Sequence, residues 1–314
     1  MLFPVEPGRE LQSNDLNQQL GERLVNATST NQTRQPGVAR AHLASSAQCK
    51  DALSRRVWAA AGDASFQESW RQYSPGGFAI GCEPLRVPVK CLLYARIWKG
   101  GNVAITRSLI RGLEGNLMLN KQHLLVNKAS LEELEGLRQS SLCRRGAVVF
   151  TFVREPLSHF LSGFTEYTFR AWERRQHIDM AFAKATLMTI LGGRRPNGSA
   201  ILHVYPMSGV LAAGWRFDWV GALEHSTSDW EELASFSRSE LLHNTKLNSS
   251  LGSHPTSSDP QGARAAMAAV LRREPELRGR LCSLLLADFA CFGYDIQACR
   301  DGRALPPLPP LRAA

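Results

Sequence analysis

The chain has 314 residues, of which 44% are hydrophobic and 21% charged, values that are ordinary for a soluble globular protein. Its formal net charge of +9 favours anionic partners such as nucleotides, acidic glycans, nucleic acid or anionic lipid. Because it has no zinc-finger spacing, no RNA-recognition motif and no basic region joined to heptads, the sequence argues against a nucleic-acid-binding protein. No apolar run is long enough to predict a transmembrane helix, and residues 1–20 lack the pattern of a signal peptide.

The cysteines and glycosylation sequons bear on metal binding and on compartment. Seven cysteines are spaced too widely for a metal site of the CxxC type, so no metal is predicted, and an odd number leaves at least one free thiol if the others pair. Asn-x-Ser/Thr sequons are more frequent than chance predicts, which favours secretion. They begin at Asn26, Asn31, Asn197 and Asn248.

The predicted elements alternate between strand and helix. Residues 1–40 are polar without a sustained apolar period and predict a flexible arm or stem. Strands are predicted where short apolar, β-rich runs occur, and helices where apolar residues recur every three or four positions. The predicted strands are 85–98, 147–153, 200–206 and 217–224; the predicted helices are 41–61, one from 102, 156–175, 181–193, one from 229, and 277–295.

This alternation predicts an α/β domain over residues 41–300, followed by an extended proline-rich tail at 301–314. The expected architecture has three layers, α/β/α, around a mostly parallel central sheet. In such sheets, ligands bind at the carboxyl ends of the strands, where loops enter helices.

The stretch WKGGNVAITRSLI lies at such a position. Gly100 and Gly101 let the backbone N–H groups turn inward, the start of the following helix adds partial positive charge, and Lys99 adds a full charge. These features suit a phosphate-binding loop, but on these residues alone a plain strand-to-helix turn is the favoured interpretation. It is not a Walker A loop, in which the lysine follows the glycines.

The second strand and the segment after it, VVFTFVREPLSHFLSGF, resemble the 3′-phosphate-binding segment of sulfotransferases that use 3′-phosphoadenosine 5′-phosphosulfate (PAPS). His159 departs from the family, which often has Arg there. With that resemblance, RIWKGGNVAI looks like the family's 5′-phosphosulfate loop, Pro-Lys-x-Gly-x-Thr-Ser, with Val103 and Ala104 in place of its Thr and Ser. The matching residues are Lys99, Gly101, Arg154, Glu155, Pro156, Ser162, Gly163 and Phe164.

Three later segments, in the same order as in membrane-bound carbohydrate sulfotransferases, extend the resemblance to about residues 88–295. HVYPMSGVL resembles their His-x-x-Pro-Gln segment, FDWVGALE their Asp-Phe-Val-Gly-x-x-Glu, and LADFACFGYD their closing Asp-Phe-x-x-Phe-Gly-Tyr. The resemblance implies a P-loop-like fold, PAPS as sulfuryl donor without a metal, and a carbohydrate acceptor. It also implies a Golgi lumenal enzyme with an N-terminal membrane anchor, although the sequence predicts no anchor.

The resemblance also implies roles for individual residues. Lys99 would stabilise the oxygen that bridges phosphorus and sulfur, and the backbone of Gly100, Gly101, Asn102, Val103 and Ala104 would hold the 5′-phosphate. Arg154 would bind the 3′-phosphate, with Ser162 adding a hydroxyl from the same helix face. The Asn102 amide is the expected replacement for the missing loop hydroxyls.

A hydroxyl acceptor needs a base. His123 is the first candidate and Glu114 the second, whereas Glu155 is expected to have a structural role beside Arg154. His203 is expected either to shape the acceptor cleft or to pack.

Two alternatives stay open. The first is a catalytically idle relative that binds only nucleotide or acidic glycan, which the replacement of the loop hydroxyls favours. The second is a P-loop phosphotransferase, which the order of lysine and glycines disfavours and which magnesium dependence would reveal.

Overall fold

The structure is a computed structural model that describes residues 37–54, 80–82, 91–115, 136–171, 177–192, 203–247 and 259–305, with short gaps inside some of these ranges. Most of the predicted arm, all four sequons, His123 and the end of the proline-rich tail lie outside the described residues.

The sheet has four described strands in the order β1 (Ile80–Cys82), β2 (Cys91–Tyr94), β3 (Ala147–Val153) and β4 (Trp219–Ala222). β1 pairs antiparallel with β2, whereas β2, β3 and β4 are parallel. Every residue of these three parallel strands is buried except the half-buried Ala147. Because alternate side chains of a strand point to opposite faces, both faces of the parallel part are covered. The described part of the chain is thus α/β, with a small parallel sheet.

Helices make up most of the described chain. They are α1 (Gly37–Ala44), α2 (Ala47–Ser54), α3 (Asn102–Gly115), α4 (Pro156–Ala171), α5 (Met180–Leu191), α6 (Gly209–Ala212), α7 (Ser226–Ser237), α8 (Glu240–His243), α9 (Ala263–Arg273), α10 (Pro275–Leu284), α11 (Leu286–Phe292) and α12 (Ile296–Arg300). Among these helices, none has both the length and the apolar character that a membrane crossing requires.

The buried apolar residues form two clusters. One surrounds the sheet and includes residues of α1, α3, α7 and the segment 207–217. The other lies among α4, α5 and the helices α9 to α12. Helix α4 contributes Leu157, Phe160, Leu161 and Phe164 to the second cluster, at the three- and four-residue spacing of one helix face. Through this face, α4 packs against the C-terminal helices.

Helix α1 is bound to the β4 edge by buried polar contacts. The Arg40 guanidinium lies 3.0 Å from a carboxylate oxygen of Asp229, and the backbone N–H of Ala222 donates to the same oxygen. The backbone N–H of Gly37 donates to Glu232. Asp229 is fully buried, so its charge is compensated by Arg40 inside the protein.

Three disulfides join distant parts of the chain. They are Cys49–Cys291, Cys91–Cys143 and Cys282–Cys299. The first joins α2 to α11, the second links the start of β2 to the residues before β3, and the third joins α10 to α12. Six of the seven cysteines are thereby paired, which leaves Cys82.

Several predicted elements differ from the structure. The helix expected over 41–61 is two helices, α1 and α2, separated at Ser45 and Ser46. The strand expected over 200–206 is wrong in its described part, because His203 and Val204 form a single 3-10 turn. The helix expected over 277–295 is interrupted at Leu285, and α9 was not among the predicted helices.

Candidate functional site

The Lys99 loop lies across the carboxyl ends of the parallel strands. The N–H of Gly100 donates to the carbonyl of Ile97 at 2.9 Å. A Cβ atom on Gly100 would lie 2.4 Å from the carbonyl oxygen of Phe152, and one on Gly101 would lie 2.5 Å from the side chain of Leu223. Gly101 also has a φ of 77°. Both glycines are therefore required for the loop to pack against the ends of β3 and β4.

Helix α3 begins directly after this loop. Its first turn is closed by the N–H of Ile105, which donates to the carbonyl of Gly101 at 3.1 Å. The N–H groups of Asn102, Val103 and Ala104 precede this bond and have no partner within the helix. Together with the helix dipole, they give the end of the loop a partial positive charge.

The Asn102 side chain is oriented by a strand residue. The hydroxyl of Tyr94 donates to the amide oxygen of Asn102 at 2.7 Å. Burial raises the pKa of Tyr94, so the hydroxyl stays protonated and remains a donor. With its oxygen bound in this way, Asn102 has its NH₂ group available for an acceptor. Val103 is 41% exposed and offers an apolar side chain at the same turn.

Lys99 takes up an unusual backbone conformation and forms a buried ion pair. Its φ is 62°, in the left-handed region that non-glycine residues rarely adopt. Its ammonium nitrogen lies 2.7 Å from Oε2 of Glu166 on α4. The side chains are 15% and 1% exposed, respectively. The lysine of the loop is thus held by a helix that follows the neighbouring strand.

Glu166 is shared by two cations. Its other oxygen accepts a hydrogen bond from Nε of Arg170, one turn further along α4. Burial would raise the pKa of Glu166, but the hydrogen bonds and charges of Lys99 and Arg170 outweigh it and hold the pKa at about 2. Burial, together with the charges of Arg170 and Arg154, lowers the pKa of Lys99, although the hydrogen bond and charge of Glu166 raise it in part.

Two buried histidines lie near this ion pair. His159 is on α4, and His203 lies in the turn that packs against it. Burial and the charge of Lys99 lower the pKa of His203 to about 3, so this imidazole is neutral at physiological pH. A Cβ on Gly163 would lie 1.9 Å from the carbonyl oxygen of His203, which shows how closely the turn packs on α4.

Arg154 directly follows β3, and Lys99 lies in the loop that follows β2. Because these strands are parallel, both residues lie at the same edge of the sheet. Its backbone N–H donates to the sulfur of Met207 at 3.4 Å. Within the described part of the chain, its guanidinium forms no hydrogen bond or ion pair. Burial and the nearby charge of Arg264 lower the pKa of Arg154. The half-buried hydroxyl of Ser162, two turns into α4, likewise has no hydrogen bond to a described residue.

Glu155 caps α4, and its carboxylate is not paired with Arg154 as the sequence led us to expect. Its two oxygens accept the backbone N–H groups of Leu157 at 3.0 Å and Ser158 at 2.6 Å, so it caps α4. Burial raises the pKa of Glu155 to about 6. Its own backbone N–H donates to Glu224, which also accepts from the hydroxyl of Tyr294.

Asp288 fixes the turn beside Arg154. This fully buried carboxylate accepts the backbone N–H groups of Met207 at 2.9 Å and Ser208 at 2.7 Å. Burial raises the pKa of Asp288 to about 6, although these hydrogen bonds lower it in part. Two residues of the closing DFACFGYD segment thus support the site. Asp288 positions the turn at Met207 and Ser208, and Tyr294 positions the side chain of Glu224.

The structure brings together most of the residues that the sequence predicted. Lys99 to Ala104, Arg154 and Ser162 all lie at the carboxyl edge of the sheet or on the helices that begin there. His123 lies outside the described residues, and Glu114 lies in α3 where only the backbone is described. Sequence reasoning missed Glu166 and Arg170; their spacing of four residues on a predicted helix was the one available signal.

Comparison of the chain with protein-family models, curated proteins and solved structures finds no match. Within the described ranges, no group of three or more His, Cys, Asp or Glu side chains is arranged to hold a metal ion.

Proposed function

We propose that this protein is a sulfotransferase that moves the sulfuryl group of PAPS onto a hydroxyl of a carbohydrate acceptor. The observation that carries the proposal is the placement of two anion-binding elements side by side. The Lys99 loop follows β2 and Arg154 follows β3, and these strands are parallel neighbours whose residues pair from Cys91 with Ala147 to Tyr94 with Phe150. A nucleotide with phosphates at both ends of its ribose has two anionic groups. It can therefore place one of them at the Lys99 loop and the other at Arg154.

The donor groups at the edge of the sheet fit such a ligand. The first-turn N–H groups of α3, the Asn102 amide and the Lys99 ammonium suit a phosphosulfate. The guanidinium of Arg154 and the hydroxyl of Ser162 suit a second phosphate, since neither side chain has a hydrogen-bond acceptor among the described residues. The P-loop-like, three-layer form of the fold is part of the same proposal.

PAPS, when bound, supplies the sulfuryl group, which moves from the 5′-phosphate oxygen to the acceptor oxygen as the acceptor loses its proton. The work of the chain is mostly electrostatic. Lys99 stabilises negative charge on the leaving oxygen, the N–H groups of Asn102 to Ala104 hold the phosphate, and Arg154 fixes the other end of the nucleotide. Glu166 is a poor general base because two cations hold its pKa at about 2. His123 stays the first candidate for that role.

A lumenal compartment, specifically the Golgi, fits this proposal. Three disulfides are typical of proteins that fold in an oxidising environment. The four sequons and the basic net charge also suit a glycoprotein enzyme that acts on acidic glycans. A membrane would be involved only through an anchor that the sequence does not predict.

The catalytically idle relative is the second candidate function, and Val103 favours it. The loop has an exposed valine where the family has a hydroxyl residue. A hydrogen bond to a charged group contributes about 1.5–3 kcal/mol, so the loss of one weakens nucleotide binding unless Asn102 replaces it.

Transfer of ³⁵S from labelled PAPS to a panel of glycans, with and without magnesium, tests the proposal. We expect metal-independent transfer, and a loss of about 10²-fold or more in Lys99→Ala. The matched control is Lys184→Ala, whose ammonium pairs with Glu274 at the surface and which should leave transfer unchanged. Binding of adenosine 3′,5′-bisphosphate without transfer to any glycan would favour the idle relative. Absence of both would overturn the proposal.

A further inference from the structure

The fold of the Lys99 loop has a support that is independent of the ion pair between Lys99 and Glu166. The loop is already fixed by the close packing of Gly100 and Gly101 against the ends of β3 and β4. The pair instead places a carboxylate, 1% exposed, 2.7 Å from the one lysine of the predicted anion site. A lysine ammonium has three N–H donors, and one of them is directed to Glu166. The other two have no hydrogen-bond acceptor among the described residues.

Positive charges outnumber negative charges around this pair. Glu166 is paired with both Lys99 and Arg170, and Arg154 adds a further cation close enough to act on Lys99. Among the described residues, His203 in the neighbouring turn and His159 on α4 are further titratable groups near the pair, and both are buried. Of the described residues that act on the pKa of Lys99, Glu166 is the carboxylate, and Arg170 and Arg154 are the cations. Without Glu166, the buried ammonium would therefore face these two guanidinium groups. Such an ammonium would readily lose its proton.

We infer that Glu166 is a positioning residue for Lys99, which keeps the buried ammonium charged and directs its free N–H donors toward the anion, while Arg170 keeps Glu166 ionised. The inference rests on the proposed function for the identity of the anion. It does not depend on that function for the state of Lys99, which is a property of the chain alone.

The inference predicts a specific dependence on pH. Burial and the charges of Arg170 and Arg154 lower the pKa of Lys99, whereas Glu166 raises it. In Glu166→Gln the opposing contribution is lost, so Lys99 becomes neutral at a lower pH than in the wild type. In Arg170→Gln a repelling charge is lost, so the pKa of Lys99 rises. The two variants should therefore move the lysine in opposite directions.

Anion affinity should follow the charge of Lys99. At low pH, Glu166→Gln should bind an anion at least as tightly as the wild type, because a negative charge near the site is gone. At high pH it should bind more weakly, because the loss of one charge-assisted contact costs about 10- to 100-fold. The two affinity curves should therefore cross. If Glu166 acted only as a nearby charge, the curves would be displaced by a constant factor; if it acted only in folding, stability alone would change.

The first experiment reads Lys99 directly. Full-length protein labelled with ¹³C-lysine is titrated by NMR from about pH 6 to 11, and the Lys99 signal is assigned with Lys99→Arg. The expected result is a lower pKa in Glu166→Gln and a higher one in Arg170→Gln. Lys184, which pairs with Glu274 at the surface, is the internal control, and Glu274→Gln is the matched variant. An unchanged Lys99 titration in both variants overturns the inference.

The second experiment measures binding of adenosine 3′,5′-bisphosphate and of inorganic pyrophosphate by calorimetry at about pH 6.5 and 9. Crossing curves support the inference, and curves displaced in parallel overturn it. If neither anion binds the wild type, the proposed function fails, and the NMR titration still decides the role of Glu166. Should Glu166→Gln fail to fold, Arg170→Gln provides the test, since this side chain is 54% exposed and its replacement should leave the fold intact.

Discussion

Gly163 offers the sharpest test of how α4 is packed. It lies in the middle of α4, and a Cβ at this position would be 1.9 Å from the carbonyl oxygen of His203 and 2.5 Å from its carbonyl carbon. Ordinary van der Waals contact begins at 3.4 Å, so helix and turn would have to separate by about 1.5 Å. The obstructing atoms are backbone atoms of His203 and Val204. The chain a few residues further on is fixed at Met207 and Ser208 by hydrogen bonds to Asp288.

Two opposing effects set the size of the change in Gly163→Ala. Alanine in a helix interior is favoured over glycine by about 0.5–1 kcal/mol. Overpacking of a well-packed site costs about 1–3 kcal/mol and occasionally more. Because the clash is with backbone and not with the end of a flexible side chain, we expect a net loss of about 1–3 kcal/mol in the free energy of unfolding.

Gly279→Ala is the matched control. Gly279 also lies inside a helix, α10, but a Cβ there would meet no atom within 4 Å. The same chemical change should therefore stabilise the protein by about 0.5–1 kcal/mol. Urea unfolding followed by tryptophan fluorescence measures both variants under identical conditions. If Gly163→Ala is as stable as Gly279→Ala, α4 and the turn at His203 are not packed as described.

Three further predictions concern buried charge and the cysteines. Asp288 has a pKa of about 6 when folded and an ordinary value of 3.8, so its contribution to stability is full below about pH 4 and is lost as the pH rises through 6. The wild type should therefore lose about 3 kcal/mol relative to Asp288→Asn between about pH 4 and 7, measured by urea unfolding at each pH. Arg40→Met leaves the buried carboxylate of Asp229 without its cation and should cost about 3–5 kcal/mol, whereas Arg303→Met at the surface should change little. Alkylation of the denatured but unreduced protein, followed by peptide mass spectrometry, should label Cys82 alone.

Each of these has a contrary outcome. A stability difference that does not change with pH would mean that Asp288 is not buried as a titrating carboxyl. Equal stability of Arg40→Met and Arg303→Met would place Arg40 at the surface. Labelling of more than one cysteine before reduction would show that at least one of the three disulfides does not form.

The sequence predicts elements best where a local signal marks both ends. The strand predicted at 147–153 matches β3 residue for residue, because AVVFTFV is a continuous β-branched and aromatic run that ends at Arg154-Glu155-Pro156. Proline at the first position of α4 marks the next start. Helix α9 had an equally clear signal, since Ala263, Met267 and Leu271 are spaced four residues apart, and the sequence analysis missed it.

The wrong strand at 200–206 has a different origin. Its described residues, 203–206, do pack inside the protein. The backbone N–H groups just beyond it bond to the carboxylate of Asp288 instead of a neighbouring strand. That partner lies about 80 residues away in sequence and leaves no local pattern. The same reason explains why the ion pair of Lys99 with Glu166 could not be predicted: the loop suggested the lysine, but no local feature indicates a partner 67 residues later.

The docking of α1 has a consequence for the synthesis of the chain. Its partners lie far downstream: Gly37 bonds to Glu232 and Arg40 to Asp229, separations of 195 and 189 residues. At about 5–20 residues per second, a ribosome needs roughly 10 to 40 seconds to produce that length. During this time α1 and Arg40 have been synthesised, but the residues that they bind have not. The first described helix to leave the ribosome is therefore among the last to reach its place, and a substitution near residue 230 would expose the N-terminal helices to proteases as readily as one within them.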